Sequence, residues 1–314
     1  MTGTDADLPS INLVDAMHRL WTYLKERFPP LENGLLVAVF GLSALYHSAL
    51  LRGRADLPGV GPALAAFGLT LLFFFLLRVA DEFKDLEKDR QYRPERPVPR
   101  GLVSLRELGI AGVGAGGLQL ALATWVDATV LLVLLGAWVY FGLMCVEFFV
   151  PDWLDRHSGV YMLSHMLIMP AIALLASACD WAAAGADPPL TFVWFLGASF
   201  FGGLVFEIGR KLRAPEGERT GVETYSKEWG RTRAVVAWLG VLILSGGMAL
   251  GAAWQVEVGV IVAGVLGVAL VAAIIVAGRF LHSPTPDRAE SFELVSGVWL
   301  LLLYGGMGLL PVLL

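Results

Sequence analysis

Residues 61–80 read GPALAAFGLTLLFFFLLRVA and run without a break into Asp81-Glu82-Phe83-Lys84-Asp85-Leu86-Glu87-Lys88-Asp89. The first part is long enough to cross a bilayer as a helix, which takes about 20 apolar residues. The second part holds five acids in nine residues, in a 314-residue chain of which only 16% is charged. A lipid-buried helix that ends in a carboxylate cluster sets two expectations. The fold is an all-α membrane fold, and the acids have a use at one membrane surface.

If the helix continues to Asp89, a turn of about 100° per residue puts Glu82, Asp85 and Asp89 on one face, with Asp81 one turn before Asp85. Like charges at that spacing repel unless a cation lies among them. Hard oxygens at this density suit Mg²⁺, which keeps waters and takes phosphate oxygens as further ligands. The other reading is a solvated helix end with Lys84 and Lys88 as partners.

Composition supports the membrane class. The chain is 56% hydrophobic with a mean hydropathy of +0.67, well above the balance of a soluble domain. Net charge is −5, which implies no attraction to nucleic acid. The two cysteines, Cys145 and Cys179, lie in apolar runs and argue against a disulfide framework or thiolate metal site. No segment of signal-peptide type is visible in the first thirty residues. Residues 1–10 read as disordered and 11–28 as an amphipathic helix along the interface, stopped by Pro29-Pro30. Residues 1–30 thus form a tail and interfacial helix, and 31–314 the membrane domain. Its spans are expected at 34–51, 61–80, 105–125, 128–149, 160–179, 190–208, 232–252, 254–278 and 292–313. Glycine clusters within them point to close helix packing.

With the N-terminus in the cytoplasm, 21 of the 23 Lys and Arg residues fall on the cytoplasmic side; only Arg52 and Arg54 lie outside. Both long charged loops, 81–100 and 207–233, then share that side. A multi-pass protein of the cell membrane is expected. Glu147 ends the fourth span, and Tyr161, Ser164 and His165 open the fifth. A carboxylate there is a functional candidate, and His165 a candidate general base. Asn33, His47 and Gln119 read as packing or hydrogen-bonding groups.

After the acids come Arg93 and Arg96-Pro97-Val98-Pro99-Arg100-Gly101-Leu102-Val103-Ser104. Ser104 and Glu107 form a capping-box pattern. Here the chain resembles the UbiA superfamily of intramembrane prenyltransferases, whose first motif is Asn-Asp-x-x-Asp-x-x-x-Asp followed by an Arg-Pro-rich turn and Gly-x-Ile/Val-Ser. Asp81 stands at the Asn, and Glu82, Asp85 and Asp89 at the acids. The resemblance implies nine transmembrane helices surrounding a central cavity. It implies Mg²⁺ on Asp81, Glu82, Asp85 and Asp89, and a prenyl diphosphate as membrane-embedded substrate. Glu82, Asp85, Asp89, Glu207 and Lys211 become catalytic candidates. Lys84, Arg93, Arg96, Arg210 and Lys211 become diphosphate ligands. The acceptor is not implied.

The second family motif is usually acid-rich, whereas this chain has Glu207 followed by Arg210 and Lys211. Either Glu207–Lys211 is an ordinary helical pair, or the two cations face the diphosphate in place of a second metal. Two further functions stay open: a membrane terpene cyclase that uses the same ionisation without an acceptor, and a divalent-cation transporter. Transport sites favour the bilayer midplane, which these acids avoid.

Overall fold

The computed structural model describes residues 13–53 and 57–314. The expectations for residues 1–12 and Arg54 lie outside the described residues. The described residues form helices and turns with no strand. Among the described residues, nine helical segments are long and apolar enough to cross a membrane: Pro30–Arg52, Val60–Lys84, Leu105–Val126, Ala128–Cys145, Ser158–Trp181, Leu190–Gly209, Arg231–Gln255, Gly259–His282 and Pro286–Leu313. The chain is an all-α, multi-pass membrane protein.

In chain order the helices are α1 (Leu13–Arg27), α2 (Pro30–Arg52), α3 (Val60–Lys84), α4 (Leu86–Tyr92), α5 (Leu105–Val126), α6 (Ala128–Cys145), α7 (Pro151–Asp155), α8 (Ser158–Met166), α9 (Ile168–Trp181), α10 (Val193–Gly209), α11 (Tyr225–Glu228), α12 (Arg231–Gln255), α13 (Gly259–His282), α14 (Pro286–Tyr304) and α15 (Leu310–Leu313). Local chemistry sets many of the ends. Pro30 is pre-organised for the first turn of α2. Ser104 and Glu107 complete the capping box that starts α5. Asp127, alone between α5 and α6, accepts from the Thr129 amide at 2.7 Å and so caps α6.

Three differences from the expected spans have a local cause. The fourth stops at Cys145 rather than 149, because Glu147, Phe148 and Phe149 all take left-handed φ values (49°, 52° and 62°). The eighth begins at Gly259 rather than 254, because α12 continues to Gln255 and Glu257 turns at φ 64°. The ninth begins at Pro286, six residues early, since its first turns are polar and extend beyond the apolar run.

Several polar groups within spans are satisfied by neighbouring helices. Gln119 is fully buried; it donates to Leu69 O at 2.9 Å and accepts from Trp138 Nε1 at 3.0 Å. His47 bonds Met307 O through Nδ1 at 3.0 Å. At the rim opposite the charged loops, Asp180 is held by Arg52 (Nη2–Oδ1 2.5 Å) and Ser48 (2.7 Å). Small residues allow the closest contacts. A Cβ added at Gly308 would fall 2.3 Å from the Ser43 carbonyl oxygen. Backbone cannot move aside cheaply, so Gly308→Ala is expected to cost about 1–3 kcal/mol, read as a lowered melting temperature in detergent.

α1 is clamped as well as amphipathic. Tyr23 is fully buried in a cluster with Val79, Val103 and Leu108. Arg19 pairs with Glu107 at 2.6 Å, Arg27 with Glu82 at 2.7 Å and Glu26 with Arg100 at 2.7 Å. Met17 and Trp21 remain exposed. Burial, reinforced by the Glu82 charge, pushes the Tyr23 phenol up, so it stays neutral.

Candidate active site

The acid run does not form one face. α3 ends at Lys84, Asp85 takes φ −89° and ψ 1°, and α4 starts afresh at Leu86. The break re-phases the acids on either side of it. Among the described residues no three Asp, Glu, His or Cys side chains converge as a metal-holding group. Glu82 turns toward α1, 2% exposed, and accepts from Arg27 Nε at 2.7 Å. Asp89 is also 2% exposed and is enclosed by Arg93 (3.2 Å) and Arg96 (2.6 Å), which the proline-rich turn folds back over it. Those two acids are therefore matched by three guanidinium groups, one on Glu82 and two on Asp89.

Asp81 and Asp85 remain, one helical turn apart. The Asp81 side chain is 54% exposed, and its nearest cation is Arg78 at 3.4 Å. It also lies in the fields of Asp85, Lys84 and Arg210. Asp85 has no ion pair among the described residues. The pair is thus accessible, and Asp81 lies in the field of a cation from the second charged loop.

That loop begins where α10 ends. Glu207, 8% exposed, accepts from Arg210 (Nε 2.8 Å, Nη2 2.5 Å) and Lys211 (2.7 Å), and from the Tyr225 hydroxyl at 3.4 Å. The helical pairing expected from the sequence is present. Glu207 orders the two cations, while Arg210 and Lys211 keep exposed donors, with side chains 42% and 32% accessible. Lys211 also lies over the Tyr225 ring at 5.3 Å. Burial pushes the Tyr225 phenol up, so it remains a donor to Glu207.

The two loops are joined directly. Lys88 bonds Glu223 at 2.9 Å, which holds the ammonium above its ordinary range and the carboxyl below its own. Gly221 has φ +73°, and a Cβ there would stand 2.4 Å from the Tyr92 ring. Only glycine meets both conditions without strain.

Lys84 faces a third cluster rather than the acids beside it. Its Nζ lies 2.5 Å from Glu147 and donates to the Tyr161 hydroxyl at 2.5 Å, 4.8 Å over the Tyr161 ring. Tyr161 in turn stacks on His165, centroids 3.9 Å apart. Glu147 begins the left-handed turn that shortens the fourth span, and left-handed backbone costs roughly 1–2 kcal/mol per non-glycine residue. The Lys84–Glu147 bond helps to hold that turn.

Sequence reading missed the partners rather than the acids. Arg27 and Arg78 were legible only as positive charges, and Tyr225 as a loop residue. Arg27 at the end of an amphipathic helix, just before Pro29-Pro30, was the one signal that the helix returns to the acids.

Two carboxylates one turn apart match what Mg²⁺ asks of a protein, which is one or two acids plus waters and substrate phosphates. The donor set at Asp81 and Asp85 fits such an ion with two acids rather than four.

Comparisons with known proteins agree with the fold. The UbiA prenyltransferase family matches residues 42–301. The chain is similar to a structure of digeranylgeranylglyceryl phosphate synthase, with a TM-score of 0.63 and 16% identity over 95% of this chain and 100% of that one. It is also similar to a ligand-free UbiA homologue from Aeropyrum pernix K1, with a TM-score of 0.65 and 14% identity over 86% and 96%. No curated protein sequence matches the chain. With the family covering most of its length and nine spans in place, the chain belongs to the UbiA prenyltransferase family and is an intramembrane prenyltransferase.

Proposed function

We propose that the chain moves an isoprenoid group from a prenyl diphosphate to an acceptor, with the charged loops facing the cytoplasm of the cell and Mg²⁺ as cofactor. One observation carries this reading: the accessible Asp81 carboxylate, one helical turn from Asp85, lies in the electrostatic field of Arg210 from the second charged loop. Asp81 and Asp85 would hold the metal. When bound, Mg²⁺ acts as a Lewis acid on the diphosphate oxygens. Arg210 and Lys211 bind the same diphosphate, the first as a fork and the second as a point charge. Glu207 orients both. Arg93 and Arg96 keep Asp89 neutralised. Glu82 secures α1. The isoprenoid tail lies among the apolar helices.

On this reading fewer Mg²⁺ ions accompany the diphosphate than two acid-rich motifs would hold. Calorimetric titration with a non-hydrolysable prenyl diphosphate is expected to count less than a second full metal shell; a complete second shell at residues 207–211 would overturn the assignment. The activity itself is tested by supplying C10 to C20 diphosphates to membranes holding the protein and identifying products by mass spectrometry. A prenylated glyceryl phosphate is one acceptor to supply, because the fold is similar to that of digeranylgeranylglyceryl phosphate synthase. A prenylated acceptor supports transfer. Hydrocarbon or terpene alcohol formed without acceptor would show cyclisation instead.

A further inference from the structure

We propose that His165 Nε2 is the base that takes the proton lost by the acceptor, an assignment that rests on the prenyl-transfer reading above. The ring is fixed from one side. Nδ1 lies 2.8 Å from the Tyr161 carbonyl oxygen, which can only accept, so Nδ1 carries the hydrogen. In the neutral ring the lone pair is then on Nε2. That atom is buried and has no hydrogen-bond partner among the described residues. A buried polar atom without a partner is costly and calls for an explanation, which a proton-accepting role supplies.

The surroundings connect the ring to the reacting end of the site. His165 stacks on Tyr161, and Tyr161 accepts from Lys84, the residue before Asp85. The charged groups facing the imidazole are Lys84, Glu147 and Glu207, drawn from three different spans or their ends. Ser164 Oγ adds a 3.4 Å contact to Nδ1. Phe148 stands perpendicular to the ring, centroids 6.1 Å apart, on the turn whose three residues are left-handed. His165 thus has a fixed tautomer and a lone pair without a partner among the described residues.

In the step itself, the bond between C1 of the prenyl group and the diphosphate oxygen breaks, and its electron pair leaves with the diphosphate. An electron pair of the acceptor forms the new bond to C1. The proton displaced from the acceptor, from an O–H or an aromatic C–H, goes to Nε2, and the imidazolium later releases it to water.

The test separates ionisation from capture. Geranyl diphosphate labelled with ¹⁸O in its C1–O bridge scrambles the label into non-bridging positions whenever it ionises and returns. Wild type, His165→Ala and His165→Gln are compared for scrambling and for product with water, a phenol and a glyceryl ether as probe acceptors, and their melting temperatures are measured. Both variants are expected to keep scrambling within a few-fold while product falls by about 100-fold or more. Parallel loss of scrambling and product would make His165 a structural or diphosphate-site residue, and unchanged product would remove it from the reaction; either overturns the assignment. A wild-type protein that neither scrambles nor forms product would strike the prenyl-transfer reading itself, a failure distinguishable because it appears before any substitution.

Discussion

Asp85→Asn is expected to lower prenyl transfer by about 10²–10³-fold, the usual cost of removing one electrostatic contact made to a developing charge, while leaving thermal stability unchanged or slightly raised. Asp85 has no ion pair among the described residues, and its closest carboxylate neighbour, Asp81, repels it. Removing one of two like charges relieves that repulsion. The second readout does not depend on turnover. A non-hydrolysable prenyl diphosphate with Mg²⁺ is expected to raise the melting temperature of wild type, because a ligand that binds only the folded state stabilises it. Asp85→Asn is expected to lose most of that shift. A variant that keeps the full Mg²⁺-dependent shift would show that the metal is held elsewhere.

Three residues upstream, the opposite outcome is expected. Glu82→Ala leaves Arg27, whose side chain is only 14% exposed, as an uncompensated buried charge. Such losses cost about 3–5 kcal/mol. The melting temperature should fall clearly, and proteolysis near residue 27 should accelerate as α1 detaches. Replacing both partners with apolar residues, Arg27→Met with Glu82→Leu, is expected to restore most of the stability, since well-packed apolar side chains can stand in for a buried ion pair. If the single variant kept wild-type stability but lost the Mg²⁺-dependent shift, Glu82 would return to the metal. The two acids share a motif and are expected to separate cleanly, one measured in turnover and the other in unfolding.

The spans were legible because the bilayer demands long apolar runs, and eight of the nine began within a few residues of the expected position. Pro286 is the exception, since a helix can start in polar sequence before it enters lipid. The acid cluster was legible as a site but not as a shape. A helical wheel assumes continuous rotation, and Asp85 interrupts it. Nor does local sequence show that Glu82 is matched with Arg27, fifty-five residues earlier, or Lys84 with Glu147, sixty-three later. These are choices of tertiary packing. For the basic second motif, the Glu207–Lys211 pair is present as one of the two alternatives expected.

The single residue joining α5 to α6 bears on how the protein is made. Asp127 caps one helix at the point where the other ends, so the third and fourth spans can enter the membrane only as a tight hairpin. Gln119 on the first arm is bonded by Trp138 on the second. A nascent chain halted after Val126 would expose Gln119 to lipid with one of its two bonds missing, whereas one halted after Cys145 would already carry both arms of the bond. Insertion of the third span should therefore depend on synthesis of the fourth, and staged translation products should show it waiting at the translocon until Trp138 has emerged.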